Sequence, residues 1–194
     1  MDDVLKVCDW YLFDKLYSLP PFTSLTSFGL DFSDQNIAYR QLFSLWLIAT
    51  VGGIIMYLFF ASMSYFFIYD HSQKNHPRYL KNQVRREISL SMIQFPVGSI
   101  LTVPWFFLEV RGYSKLYSSI DEWGWLYFGF SVIWFLVFTD MCIYGIHRWL
   151  HTPWAYKYIH KPHHLWKVPT PFASHAFHPL VIYYFLYFDS SNIF

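Results

Sequence analysis

The sequence predicts an all-α fold, a multi-pass helical membrane protein with a cytoplasmic, histidine-rich helical cap. Charged residues make up 14% of the chain and hydrophobic residues 55%, whereas soluble domains contain about 25% charged residues. Three apolar segments, of which only the third contains a charged residue, Asp140, are each long enough to cross a hydrocarbon core about 30 Å thick, which takes about 20 helical residues. Seven of the nine histidines lie between residues 140 and 178, directly after the third of these segments.

The rest of the composition excludes several classes of protein. The formal net charge of +1 indicates no general affinity for nucleic acid, so no nucleic-acid partner is expected. The two cysteines, Cys8 and Cys142, are too few for a cysteine-rich metal site, and a disulfide between them is not expected because Cys142 falls in an apolar segment. The chain begins with Met-Asp-Asp, without a basic n-region, so no cleavable signal peptide is expected.

The residues before the first apolar segment are expected to form a lumenal or interfacial domain at 1–40. Their run VCDWYLFDKLY predicts a short amphipathic helix with aromatic residues on one side. Tryptophan and tyrosine favour the membrane–water interface, so this helix is expected to lie there. A loosely ordered N-terminal arm is the alternative.

Three apolar segments are predicted to span the membrane, at 41–69, 88–108 and 123–146. In the first, Gly52 and Gly53 are expected to allow close packing of a neighbouring helix. In the second, Pro96 and Pro104 predict a kinked helix, and a re-entrant hairpin is the alternative. The first two spans and their connecting loop form a predicted domain at 41–123.

The loop between the first two spans predicts the topology. It is the most basic part of the chain, with Lys74, Arg78, Lys81, Arg85 and Arg86. Basic residues beside spans favour the cytoplasmic side, and two further crossings return the histidine segment to that side. His71 and His76 lie in this loop, apart from the other histidines, and are not expected to bind metal.

Five histidines form two closely spaced motifs after the third span. They are His147, His151, His160, His163 and His164. Residues four apart share a helix face, so the first pair can point two imidazoles at one ion. The second group shares a face where the backbone is helical, with a break expected near Lys161 because Pro162 suits the first turn of a helix. Five imidazoles exceed one tetrahedral site and predict much of a two-metal site.

The spacing alone does not select the metal, because neutral imidazole binds iron, zinc and copper alike. His175 and His178 form a further H-x2-H pair that either ligates a metal, orients a ligand or packs beside Pro179. Arg148 follows His147, so the motif H-E-x-x-H of zinc proteases, with its general base, is absent. A haem-binding or heavy-metal-binding membrane protein uses the same histidines and is an alternative.

Two polar residues of the third span fall on the helical stripe of the first histidine pair. Asp140, Tyr144, His147 and His151 recur at i, i+4, i+7 and i+11, and an ionisable group inside a span indicates function. Asp140 and Tyr144 are predicted to support the metal site from behind the ligands, Asp140 by accepting a hydrogen bond from a ligand imidazole or a metal-bound water. The alternative is a carboxyl group near the interface that bonds to a neighbouring helix.

The motifs HRWLH, HKPHH and PTPFASHAFHP, preceded by FTDMCIYGIHR, resemble the fatty acid hydroxylase/sterol desaturase superfamily and, within it, the sterol C5-desaturases. KNQVRREISL and FLEVRGYSKLY add to this resemblance, which covers roughly residues 1 to 180. It implies an enzyme of sterol biosynthesis in the endoplasmic reticulum membrane. It also implies two non-haem iron ions, O2, and electrons passed from NADH through cytochrome b5 reductase and cytochrome b5. The implied reaction introduces the C5–C6 double bond into a Δ7-sterol.

The sequence departs from this superfamily at its C-terminal end. A third histidine box, another H-x2-H-H, lies beyond position 180 in the superfamily and is absent here, and the tail leaves the pattern after Pro179. The domain at 124–194 is therefore expected to be incomplete, as in a truncated form, and residues 179–188 are too short to span a bilayer. A catalytically inactive isoform is one alternative. A lipid hydroxylase is another, because hydroxylases carry similar boxes.

Overall fold

The computed structural model describes residues 1–114, 119–161 and 163–176. These residues form helices and connecting turns, and no strand occurs among them. The predicted all-α fold is therefore confirmed. Two groups of residues cluster separately, one formed by 1–56 with 95–113 and the other by 57–94 with the described residues from 114 onward.

The N-terminal residues are helical, as the amphipathic pattern predicts. Helix α1 (Asp2–Cys8) continues through a π-helical turn into α2 (Asp14–Tyr17), and α3 (Pro20–Thr23) follows. Phe13 and Tyr17 are buried in a core that also contains Leu5, Leu45 and Val103. The alternative of a loosely ordered arm is wrong, because these aromatic side chains pack into a core.

A buried arginine holds this N-terminal segment together. Arg40 is 1% exposed, and its Nη2 donates to Asp9 Oδ1 at 3.0 Å and also to Asp14. Its Nη1 donates to the carbonyl oxygens of Phe32 and Ser33. A buried cation is tolerated when it is paired and hydrogen-bonded in this way.

Three long helices are apolar enough to cross a membrane. They are α4 (Ala38–Phe67), α5 (Gln83–Val110) and α6 (Gly124–Leu150), with 30, 28 and 27 residues. All three predicted spans are therefore confirmed as helices. Helix α5 begins five residues before its uncharged run, and α6 ends four residues after its predicted boundary. Both helices are longer than predicted because a helix can continue into the polar headgroup region, where charged side chains are solvated.

The details of α4 and α5 refine two predictions. A Cβ added at Gly53 would lie 2.9 Å from Cδ1 of Phe95, whereas one at Gly52 would meet no described atom within 4 Å. Close packing therefore depends on Gly53. Helix α5 is one continuous helix with Pro96 and Pro104 inside it, so the hairpin alternative is wrong.

Candidate metal centre

The C-terminal end of α6 presents the first histidine pair. His147 lies in the last turn of α6, and His151 caps that helix with its amide bonded to the carbonyl oxygens of His147 and Arg148. The two Nε2 atoms are 3.1 Å apart. Two nitrogen ligands bound to one metal at about 2.0–2.1 Å are separated by about 2.8–3.4 Å for bond angles between 90° and 110°. The pair therefore already has the separation of two ligands on one ion.

A short helical segment then carries a third histidine back to this pair. Helix α7 (Pro153–Ala155) leads into a π-helical turn at Tyr156–His160, in which the amide of Lys161 donates to the carbonyl of Tyr156 at 2.8 Å. The ring of His160 lies 5.0 Å from that of His147 and 4.8 Å from that of His151. Ligand atoms of these three residues all lie within 4.8 Å of one another. Such π turns are rare and occur often at functional sites.

The remaining two histidines of the motif close the cluster. The π turn ends at His160 and a 3₁₀ turn begins at His163, so the predicted break near Lys161 is confirmed. The ring of His164 lies 4.5 Å from that of His160 and 5.1 Å from that of His151. His163 stacks on His160 at 5.5 Å. The structure thus brings all five predicted histidines into one set of touching imidazoles.

The nitrogen atoms at the centre of this set are suited to a metal. Both ring nitrogens of His160 and Nε2 of His164 are buried. None of these three atoms has a hydrogen-bond partner among the described residues. An unpaired buried polar atom is costly, and metal coordination would remove that cost. Burial, followed by the charges of the neighbouring imidazoles, lowers the pKa of His160 to about 4. His160 is therefore neutral at physiological pH, as a metal ligand must be.

Tyr156 belongs to the cluster although its motif does not mark it. Its ring stacks on His151 at 5.9 Å and lies 5.5 Å from the ring of His164. It also lies 6.2 Å from His160, four residues further along. Tyr156 therefore forms one wall of the histidine cluster, and the i, i+4 spacing to His160 is the signal that could have identified it.

The other predicted site residues lie in different surroundings. Asp140 is exposed on α6, and within 1–114, 119–161 and 163–176 no hydrogen bond joins it to an imidazole. The hydroxyl of Tyr144 accepts a hydrogen bond from Arg148 at 3.1 Å. The ring of His175 packs against Tyr57, with centroids 5.3 Å apart. His178 lies outside the described residues.

A buried carboxylate on α5 fixes the chain just after the histidine cluster. Glu87 is fully buried and accepts hydrogen bonds from Gln83 Nε2 at 2.7 Å, from the amide of Thr170 at 3.3 Å and from the Thr170 hydroxyl. The same Gln83 nitrogen also donates to the carbonyl of Val168 at 2.7 Å. These contacts attach residues 168–170 to the first turns of α5.

A second set of bonds holds the next residue, Phe172. Its carbonyl accepts from the hydroxyl of Tyr57 at 2.8 Å and from that of Ser91 at 3.3 Å. Gln83, Glu87 and Ser91 recur every four residues and so share one face of α5. The loop that follows His163 and His164 therefore packs on a polar stripe, which we call the α5 clamp.

The α5 clamp was missed by sequence reasoning because its partners are far apart in the chain. Glu87 and Thr170 are separated by 83 residues. The available signal was a carboxylate one residue before an uncharged span, at i+4 from Gln83 and i−4 from Ser91. Charge counting assigned that segment to a basic loop and left Glu87 without a role.

Comparisons with known proteins agree with the fold and the site. Residues 132–190 match the family described as fatty acid hydroxylase. The chain is 50% identical over 182 residues to a lathosterol oxidase of Rattus norvegicus, which covers 93% of this chain and 57% of that protein. It is 49% identical over 182 residues to the human lathosterol oxidase, with the same coverage. It is 42% identical over 225 residues to a Delta(7)-sterol 5(6)-desaturase of Leptosphaeria maculans, covering 93% of this chain and 63% of that protein.

The chain thus spans somewhat more than half the length of these relatives. No solved structure matches it. The three apolar helices and the five touching imidazoles define a multi-pass helical membrane protein with a polyhistidine site compatible with non-haem iron. The match to the fatty acid hydroxylase family covers residues 132–190, and 93% of the chain is similar to lathosterol oxidase. The resemblance read from its histidine motifs is confirmed.

Proposed function

We propose that this chain carries the histidine-rich core of a sterol C5-desaturase, an enzyme that introduces the C5–C6 double bond into a Δ7-sterol such as lathosterol. The observation that carries the proposal is the cluster of five touching imidazoles within a chain half-identical to lathosterol oxidases. Sterols are apolar and dissolve in the bilayer, so an enzyme that acts on them is expected to be a membrane protein.

The residues proposed to hold metal are the five clustered histidines. His147, His151 and His160 would bind one iron ion, because their ligand atoms already converge. His163 and His164 would bind a second, with His175 and His178 as further candidates. When bound, the two non-haem iron ions would supply the O2-derived oxidant that an unactivated C–H bond requires. Asp140 and Tyr144 are proposed to support this site from α6.

The overall reaction balances with O2 and two electrons. One Δ7-sterol, one O2, one NADH and one proton give the Δ5,7-sterol, NAD⁺ and two waters. The sterol loses two hydrogens, from C5 and C6, and the two electrons from NADH complete the reduction of O2. We propose cytochrome b5 reductase and cytochrome b5 as the route for these electrons.

The residues of this chain keep the proposed metal ligands in the neutral form and hold them in position. His160 stays neutral because burial lowers its pKa to about 4, so its nitrogen lone pair remains available at any physiological pH. The α5 clamp fixes the loop after His164 and so limits how far the second histidine motif can move. Orientation of ligands by surrounding hydrogen bonds supports metal affinity.

The proposed location is the endoplasmic reticulum membrane, with the histidine cluster facing the cytoplasm. The basic loop between α4 and α5 supports this orientation by the preference of lysine and arginine for the cytoplasmic side. Since α6 returns the chain to the side of that loop, the histidines would lie where NADH and cytochrome b5 are accessible.

A related lipid hydroxylase is the second candidate. The match of residues 132–190 to a family described as fatty acid hydroxylase favours it, because histidine boxes serve hydroxylation and desaturation alike. The two activities differ in product. A desaturase forms a new C–C double bond, whereas a hydroxylase inserts one oxygen atom into a C–H bond.

Complementation tests the proposal. The chain is expressed in cells that lack sterol C5-desaturase, and Δ7- and Δ5,7-sterols are quantified by mass spectrometry, with the His160→Ala variant as the inactive control. The proposal predicts Δ5,7-sterol with the parent chain and none with the variant. A hydroxylated lipid without Δ5,7-sterol would favour the second candidate. Unaltered sterols and lipids, with the chain present in the membrane, would contradict both activities for this chain.

A further inference from the structure

The first three turns of α5 have two faces of opposite character. Gln83, Glu87 and Ser91 point inward to the α5 clamp and are buried. Arg85, Arg86, Ser89 and Ile93 lie on the other side, since a helix turns 100° per residue and these positions recur at i, i+1, i+4 and i+8. All four are exposed, as is Asn82 just before the helix. The bonds of the inward face therefore fix the outward direction of the two arginines.

The outward face carries cations that are not neutralised. Within 1–114, 119–161 and 163–176, no ion pair involves Lys81, Arg85 or Arg86. The nearest acidic residue along the helix, Glu87, is turned inward and bonded to Thr170. Three positive charges thus lie within six residues, and no carboxylate of the described residues forms an ion pair with them.

These cations border a groove that continues onto apolar side chains. The groove has a volume of about 640 Å3 and is lined by Lys81, Asn82, Arg85, Arg86, Ser89, Leu90 and Ile93. Basic side chains lie at one end, the hydroxyl of Ser89 lies in the middle, and Ile93, which is 58% exposed, lies at the other end.

With the hydrocarbon boundary placed where the uncharged run of α5 begins, the groove would lie at the depth of lipid headgroups. The uncharged run of α5 begins at Ile88, three residues after Arg85, and a helix rises about 1.5 Å per residue. Arg85 therefore lies about 4.5 Å outside the hydrocarbon boundary, within a headgroup layer about 5–7 Å thick on each side. Ile93 lies about 7.5 Å inside that boundary. This order matches a phospholipid, with its phosphate outside and its acyl chain inside.

We propose that this outward face of α5 is a binding site for an anionic phospholipid. Arg85, Arg86 and Lys81 would contact the phosphate and the additional negative charge of the headgroup. Ser89 would donate to a phosphate or ester oxygen, and an acyl chain would lie along Ile93. The site is separate from the histidine cluster, so this proposal does not depend on whether the chain is a desaturase.

Bound lipid would also act on the part of α5 that extends beyond its apolar run. A bound anionic headgroup would neutralise the two arginines at the start of the helix, and it would add to the inward bonds that fix this part of α5. Because Gln83 and Glu87 of the same turns hold the loop after His164, lipid bound on the outer face would reinforce the segment to which that loop is attached.

Lipid retention measured on the intact chain tests the proposal. The chain is reconstituted in nanodiscs of equal phosphatidylcholine and phosphatidylserine, and the lipids that remain bound are counted by native mass spectrometry. We expect phosphatidylserine to be preferred. Each basic residue at a membrane surface contributes about a fivefold preference for anionic lipid, so Arg85→Gln with Arg86→Gln is expected to lower the ratio about 25-fold.

Two controls separate the site from a general effect of charge. Lys6→Gln with Lys15→Gln removes the same charge from the N-terminal helices and is expected to leave the ratio unchanged. Arg85→Lys with Arg86→Lys keeps the charge and is expected to retain most of the preference. If the double glutamine variant fails to fold, as judged by circular dichroism, Lys81→Gln in the preceding loop tests the same groove. This variant is expected to lower the preference for phosphatidylserine about fivefold.

Three results would overturn the proposal. The first is equal retention of both lipids by the parent chain. The second is an equal loss of preference in the Lys6/Lys15 control, which would indicate a nonspecific effect of net charge. The third is binding of inorganic phosphate or of an acidic protein to the same arginines without any preference for phosphatidylserine.

Discussion

Replacing Glu87 with alanine is the sharpest test of how the fold supports the histidine cluster. In the folded chain the Glu87 carboxylate is the shared acceptor for Gln83 Nε2, the Thr170 amide and the Thr170 hydroxyl. Glu87→Ala removes that acceptor and leaves buried donors behind. The perturbation reaches the loop at 168–172 without altering any histidine.

The expected magnitude follows from the number of bonds lost. A buried donor that loses its acceptor costs about 1–3 kcal/mol. Gln83 keeps its bond to the carbonyl of Val168, so the larger loss falls on the two donors of Thr170. We expect the loop at 168–172 to lose about 3 kcal/mol of local stability, at about 1.5 kcal/mol for each of those two donors, in the lower half of that range.

Hydrogen–deuterium exchange measures this local stability directly. A loss of about 3 kcal/mol corresponds to exchange about a hundredfold faster at the amides of Thr170, Phe172 and Ala173. Glu87→Gln keeps one acceptor oxygen and should give a smaller increase. Glu122→Ala, which removes an exposed carboxylate elsewhere, should give none. Exchange in Glu87→Ala within about twofold of the parent would refute the reasoning.

Two further predictions test the packing of the helices and of the cluster. Gly53→Ala should destabilise the protein by about 1–2 kcal/mol in thermal unfolding, because its Cβ would overlap the ring of Phe95. Gly52→Ala should be neutral or slightly stabilising. Equal changes in stability for the two variants would contradict a close helix contact at Gly53. Tyr156→Leu should speed the loss of bound metal to a chelator several-fold, since it removes the ring stacked on His151. Tyr156→Phe keeps the ring and should leave the rate unchanged. Identical rates of metal loss in Tyr156→Leu and the parent would exclude a role for that ring.

Sequence reasoning identified the helices and the histidines because both depend on local patterns. Uncharged runs of sufficient length predict spans wherever they occur, and i, i+4 spacing predicts that His147 and His151 share a face. The cluster as a whole required one more assumption, that the second motif folds back onto the first. The π-helical turn at Tyr156–His160 achieves this, and no spacing rule predicts a π turn.

The supporting contacts could not be predicted because they join distant segments. The bond between Glu87 and Thr170 depends on how the loop after the cluster packs on α5, and neither segment alone encodes that choice. Helical spacing alone also did not show where the Asp140 side chain lies relative to the histidines. It lies on the stripe of the first pair, yet it is exposed about two turns from His147, and its support of the metal site remains a prediction.

Metal content of the purified chain tests the central claim most directly. The parent chain, His160→Ala, His163→Ala and His76→Ala are purified from the same membranes, and bound iron, zinc and copper are measured by inductively coupled plasma mass spectrometry. We predict bound transition metal in the parent and in His76→Ala, whose histidine lies in the basic loop, and a loss of at least half of it in the two cluster variants. Equal metal content in all four proteins, each folded by circular dichroism, would contradict the claim that the five histidines form a metal centre.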